Sequence, residues 1–344
     1  MQKISANFNQ ADLAAPFIDA RRALFVPAAT AYMVTAAMLA LLAPIQLKAV
    51  VVFLFAGPHN WIELRYMLSR LPARWKNSRW FFNTSFVGVA VLSLSFVAIM
   101  VAMMMSTAPV DLLRICFSLW GSALLGWLLV LAHQRRLIQS LPQRLLAYLC
   151  GACCLAACWL GPEWFSVGLV YVHPLLSLAI FDRELERSRR DLLAGYRAVL
   201  IGAPAFLLLF WWQSCMALPQ SPIANLILDQ SGVQIMTMVP PHFVISTLVF
   251  FDLLHYGVWL LGIPLMSAGW SGYRARAMPI TTQSNFARNA ISALLLGSSL
   301  AAATLWFCFT LNFETTYTVY FILAVVHVLA EMPFLIWSTP CKSS

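Results

Sequence analysis

Three acids of this chain fall inside long apolar stretches, and each has a histidine three or four residues away. His59 stands with Glu63 in HNWIE, Asp252 with His255 in DLLH, and His327 with Glu331 in HVLAE. At that spacing two side chains share one face of an α-helix. A fourth histidine, His173 in YVHPLLSLAIFD, lies in another apolar stretch, with Asp182 at its end. A carboxylate and an imidazole one turn apart can bind the same metal ion, or neighbouring ions of a dinuclear centre, as in helical di-iron carboxylate bundles. Carboxylates mixed with imidazoles, with no cysteine among them, suit iron, manganese or zinc, and open positions on iron would let it activate dioxygen. His59, His173, His255 and His327 are therefore the expected ligands. Glu63, Asp252 and Glu331 would complete the shell, take part in catalysis or orient the imidazoles.

The same residue types admit other chemistry. A transporter can build a proton relay from Asp, Glu and His, and a histidine in a membrane helix can simply hydrogen-bond a neighbouring helix. A relay would drive pH-dependent flux without stoichiometric metal. A non-catalytic subunit of a membrane complex would copurify with partners and tolerate loss of His59.

The elements that must position these groups are apolar helices. Hydrophobic residues make up 61% of the 344 and charged residues only 10%, a balance that a water-soluble domain of this length does not keep. Apolar stretches of roughly 18 to 25 residues match the length a helix needs to cross a bilayer and satisfy its own backbone. The expected architecture is an all-α, polytopic transmembrane helix bundle forming one integral membrane domain over 1–344, with a polar segment over 1–25 and no cleaved signal peptide. About ten spans are expected, at 27–46, 47–66, 81–105, 111–132, 145–162, 164–182, 198–217, 238–266, 287–311 and 315–338. Segment 218–237 is expected to hold a short interfacial helix, ANLILDQ. Basic clusters occupy every second loop: Arg21 and Arg22, RYMLSRLPARWKNSRW, Arg135 and Arg136, RELERSRR, then Arg274, Arg276 and Arg288. The intervening loops STAPV, GPEW, 218–237 and NFETT hold no lysine or arginine. The positive-inside rule then places both termini in the cytoplasm, with the inner membrane as location. It also accounts for the net charge of +9 without nucleic acid as a partner. On these spans the four histidines fall at mid-depth or in the cytoplasmic half, where they can share one layer.

Other residues are expected to do less. Cys150, Cys153, Cys154 and Cys158 in CGACCLAAC are expected to pack in a helix interface. His133 is expected to meet headgroups and His242, in VPPHF, to begin a span. With no partner histidine at the depth of His242, haem is disfavoured. Arg65 is expected to snorkel or contact a headgroup. FDRELERSRR is expected to be a solvated helix extension, with Asp182 and Arg183 closing the cytoplasmic side of the site. Trp61, Tyr256 and Trp259 are candidates to line a substrate slot.

The motifs GPHN at 57–60, LLHYG at 253–257 and VVHVLAEMPF at 325–334 together resemble the histidine motifs of the bacterial Brp/Blh family. That family comprises membrane-integral β-carotene 15,15′-dioxygenases, multi-helix proteins that hold iron by histidines. His59, His255 and His327 are the matching positions, and His173 stands for the family's further histidine, without the second histidine usual there. The resemblance implies a membrane oxygenase with non-haem iron, mononuclear or dinuclear, with zinc and manganese as alternatives. Its substrate would be an apolar lipid or isoprenoid reached through the bilayer, with an electron donor or complex partner as a further expectation.

Overall fold

The computed structural model describes residues 10–72, 78–105, 109–138, 140–213, 216–266, 278–282 and 284–338, with backbone alone for 10–22 and for residue 166. Residues 1–9 of the polar N-terminal segment, residues 106–108 of the STAPV loop, and the basic-loop residues Arg74, Lys76, Arg274 and Arg276 lie outside the described residues.

Among the described residues the regular structure is entirely helical. The helices are α1 (Gln10–Leu42), α2 (Pro44–Arg70), α3 (Arg79–Met104), α4 (Val110–Gln134), α5 (Leu141–Leu160), α6 (Pro162–Ser188), α7 (Arg190–Ile201), α8 (Ala203–Trp212), α9 (Pro222–Gln230), α10 (Pro241–Gly257), α11 (Ile263–Met266), α12 (Asn285–Leu311) and α13 (Phe313–Ser338). A π-helical turn, Val258–Gly262, joins α10 to α11. Nine helical stretches among the described residues are long and apolar enough to cross a membrane. The chain is thus an all-α, multi-pass membrane protein. One of the nine, Arg190–Trp212, runs through α7 and α8. α2 is not among them: it is 27 residues long but carries Lys48, His59, Glu63, Arg65 and Arg70.

Local chemistry sets the boundaries. Proline occupies the first turn of α2, α6, α9 and α10, where its missing N–H costs no helical hydrogen bond. Ser221 and Ser284 cap α9 and α12 by accepting from the N–H groups of Ala224 and Ala287. Ser140 and Gln143 form a reciprocal capping box on α5. The helices run longer than the expected spans. α1 begins at Gln10, inside the segment expected to precede the first span, and α2 continues to Arg70. The expected short helix in 218–237 is present as α9.

Four helices surround the interior, and all run in one direction. Tyr171, early in α6, donates to the carbonyl of Val244, early in α10. At the opposite end Tyr66 and Arg70 of α2 meet Glu184 of α6, and Arg183 of α6 reaches Leu335 and Ser338 of α13. The stretch Pro241–Met266, which runs through α10, is the most enclosed of the nine. It packs directly against α2 and α6, whereas α13 lies closest to α12 and α3. α2 is also pressed on α12: a Cβ at Gly57 would stand 2.9 Å from that of Ala302, so only glycine permits this approach beside Pro58 and His59.

Candidate metal centre

His59 of α2, His173 of α6, His255 of α10 and His327 of α13 are each the twelfth to sixteenth residue of their helix. Because these helices run parallel, equal distance from the N-terminus means equal depth, so the four imidazoles form one layer. They follow one another around a quadrilateral. Ring centres are 5.1 Å apart for His59 and His255, 4.6 Å for His255 and His173, 5.5 Å for His173 and His327, and 5.6 Å for His327 and His59. With metal–nitrogen bonds of about 2.0–2.1 Å, imidazoles around one ion have ring centres roughly 4.5–5.5 Å apart.

Two carboxylates join the layer from the next turn of α2 and α13. Glu63 and Glu331 are both fully buried. His327 Nε2 is 2.8 Å from Glu63 Oε2 and 4.0 Å from Glu331 Oε1, and His173 Nδ1 is 2.7 Å from Glu331 Oε2. Ligand atoms of His59, Glu63 and His327 all lie within 4.8 Å of one another, as do those of His173, His327 and Glu331.

Hydrogen bonds fix which imidazole nitrogens face inward. His59 Nδ1 is 2.8 Å from the carbonyl oxygen of Phe55, which can only accept, so Nδ1 carries the hydrogen and Nε2 presents its lone pair. Glu331 does the same for His173. This is how proteins set the tautomer and orientation of a metal-binding histidine.

The donor set fits a divalent cation. Both oxygens of Glu63, Oε1 of Glu331, both ring nitrogens of His255 and Nε2 of His327 are buried without a hydrogen-bond partner. Leaving one such group unmet costs about 1–3 kcal/mol, and more for a charge. No lysine or arginine pairs with Glu63 or Glu331 among the described residues. Two buried carboxylates in a low-dielectric interior are neutralised by a proton or by a cation, and one divalent ion among neutral imidazoles would balance both charges.

Each of the four helices carries a helix-perturbing feature close to one of its candidate ligands. Pro58 precedes His59, Pro174 follows His173, Pro333 lies two residues beyond Glu331, and the π-helical turn starts three residues after His255. Each breaks the regular i to i−4 ladder and re-aims nearby side chains.

Asp252 is not brought to the centre. Its carboxylate is held by Lys48 of α2. Three residues before His255 means about 60° around the helix and one turn outward, enough to place Asp252 on a different neighbour. FDRELERSRR is also not simply solvated. Glu184 is buried, accepts from Tyr66 at 2.8 Å and pairs with Arg70 and Arg187. Asp182 and Arg183 do not close the site: Asp182 pairs with Arg197, and Arg183 ties α6 to the end of α13. Toward the C-terminal ends of α2, α6 and α13, Tyr66 packs edge-on against Trp259 and Phe334, so an aromatic layer lies beneath the histidines on that side.

Of the other candidates, Tyr256 packs edge-on against His59 and His255. Trp259 belongs to the aromatic layer, and Trp61 donates to the carbonyl of Leu295 on α12. Arg65 is buried over the Trp61 ring, not extended to a headgroup. Only Cys158 of the cysteine cluster packs, against Ser118, while Cys150, Cys153 and Cys154 are exposed. His133 is exposed at the end of α4, and His242 is buried in the first turn of α10 beside Ser246. No protein-family model, curated protein or solved structure matches the chain.

Proposed function

We propose that the protein is a membrane-embedded oxygenase or oxidoreductase. In this reading His59, His173, His255 and His327 hold one divalent ion together with Glu63, and the substrate is an apolar lipid or isoprenoid. The observation that carries it is one layer of four imidazoles and two buried carboxylates, in which Glu63, Glu331 Oε1, His255 and His327 Nε2 lack hydrogen-bond partners. Iron is the metal favoured, because mixed imidazole and carboxylate ligands suit it and because three of the histidine motifs resemble those of the Brp/Blh family. Bound iron with an open coordination position would supply dioxygen activation.

The chain's own residues would do the rest. Phe55 and Glu331 hold the rings of His59 and His173 in place, so the ligand set is organised before the ion arrives. The aromatic layer of Tyr66, Trp259 and Phe334 keeps water from the cytoplasmic side. His173 and His327 are the ligands with residual exposure, 16% of each side chain, so substrate would approach where α6 faces α13. Membership of the inner membrane, ten spans with α2 as the tenth, and cytoplasmic termini belong to the same reading. An electron donor or partner subunit would dock on the cytoplasmic side.

The test is elemental analysis of purified wild type beside His255→Ala and His327→Ala, with each variant checked for monodispersity. One iron per chain, lost in both folded variants, is the expected result. Wild-type protein without stoichiometric metal that carries pH-driven flux in vesicles would replace this reading with a transporter.

A further inference from the structure

Nearer the N-termini of the same four helices lies a second polar layer that the metal chemistry does not use. Lys48 of α2 and Asp252 of α10 form an ion pair with side chains only 12% and 13% exposed. Tyr317 and Tyr320 of α13 and Tyr171 of α6 lie within electrostatic reach of Lys48. Tyr320 meets Tyr256 hydroxyl to hydroxyl at 3.4 Å, and Tyr256 in turn packs on His59 and His255. The layer thus adjoins the histidine centre through one side chain.

Its polar atoms are not all used. Lys48 donates only to Asp252 Oδ2, so two ammonium hydrogens have no partner among the described residues. Asp252 Oδ1 accepts no hydrogen bond there, and neither does the hydroxyl of Tyr317, a residue only 3% exposed. A charged pair inside a membrane protein is costly and marks a functional site by default.

We infer that this layer is the subsite for a hydroxyl group on the apolar substrate, holding it about one helical turn or more outward of the histidine centre. Free donors on Lys48 stand beside a free acceptor on Asp252, and a hydroxyl both accepts and donates. A ketone or aldehyde oxygen only accepts and would leave Asp252 Oδ1 unmet. A carboxylate or phosphate would add net negative charge to a pair that is already neutral, in a medium that penalises it. The substrate class is then a long-chain or isoprenoid alcohol, neither a fatty acid nor a phospholipid. The hydroxyl sits about 5 Å or more along the helix axis from the histidines, so the reacting carbons would lie several bonds from it. The inference rests on the proposed oxygenase reading for that last step only.

The test uses full-length protein in nanodiscs with three photoreactive C16 probes, an alcohol, a methyl ketone and a carboxylate, each with a diazirine near its polar end. Labelled peptides are mapped by mass spectrometry. Labelling of α10 and the first half of α13 by the alcohol should exceed that by the carboxylate at least tenfold, with the ketone between them. The paired change Lys48→Met with Asp252→Leu should abolish the preference while metal content stays at the wild-type level. Asp252→Asn leaves Lys48 unbalanced and should invert the order toward the carboxylate. Equal labelling by alcohol and carboxylate in the wild type, which needs no variant, overturns the inference, as does a paired variant that labels like wild type. Because metal content is measured on the same preparations, a wild type without metal that still selects the alcohol would sink the oxygenase reading and leave this subsite standing.

Discussion

His327 Nε2 stands 2.8 Å from Glu63 Oε2 across the gap between α13 and α2, and neither atom has a partner at hydrogen-bonding geometry. Two ligands on adjacent positions of an octahedral ion with bonds of about 2.0–2.1 Å lie about 3 Å apart. The pair is thus placed as neighbours on an ion are placed, close but not pointing at one another. Glu331 differs, since one of its oxygens is taken by His173.

That difference predicts unequal effects for two chemically identical changes. Glu331→Gln keeps an acceptor for His173 and should weaken metal binding about 10- to 100-fold, the usual cost of disturbing a group that orients a ligand. Glu63→Gln removes a ligand and should weaken it further. Titration of metal-free protein with the divalent ion measures both, and equal affinities would place the two carboxylates in the same role.

Metal should also stabilise the fold, because buried atoms of Glu63, one ring nitrogen of His255 and His327 Nε2 gain a partner when it binds. At a free-ion concentration 100 times Kd the linkage is about 2.7 kcal/mol. A chelator should therefore lower the melting temperature of wild type in detergent and leave His255→Ala unchanged. A wild-type melt indifferent to chelator and to added iron contradicts the metal assignment.

Glu184 predicts a stability effect independent of metal. Glu184→Ala would leave Arg70 without its buried partner and Tyr66 without its acceptor, a loss of about 3–5 kcal/mol. Glu184→Gln should cost less, since its amide oxygen still accepts from Tyr66. Thermal melts with and without chelator separate this effect from the previous one: the decrement should be the same in both.

Lys48 and Asp252 should behave as a coupled pair. Either Lys48→Met or Asp252→Leu strands a buried charge and should destabilise by about 3–5 kcal/mol, while the double change should recover most of that loss. Additive single effects in the double-mutant cycle would mean that the two groups are separately solvated.

Much of the site is legible in the sequence because helical periodicity is local. His59 with Glu63, and His327 with Glu331, are four residues apart, and the helix alone puts each pair on one face. Equal depth is legible too: where apolar stretches alternate with basic and non-basic loops, every second helix runs the same way. Asp252 shows the limit of such reasoning. Three residues from His255 it is a near neighbour along the chain, but its slight rotation and one-turn offset hand it to Lys48, a partner 204 residues away. Glu184 shows the same limit from the other side, since a charged run reads as solvated until Tyr66 and Arg70 are packed over it.

By itself the sequence determined the solvent of this protein, the apolar helices that answer to it, and the intramembrane histidines and acids that such a solvent makes costly. These follow from composition and from a 3.6-residue repeat, which need no knowledge of distant neighbours. Only the tertiary structure decided the order of the imidazoles around the quadrilateral, the exchange of Asp252 for a place beside Lys48, and the aromatic closure beneath the histidines. Those depend on which faces of α2, α6, α10 and α13 meet, and packing between helices far apart in the chain is set by the whole bundle at once.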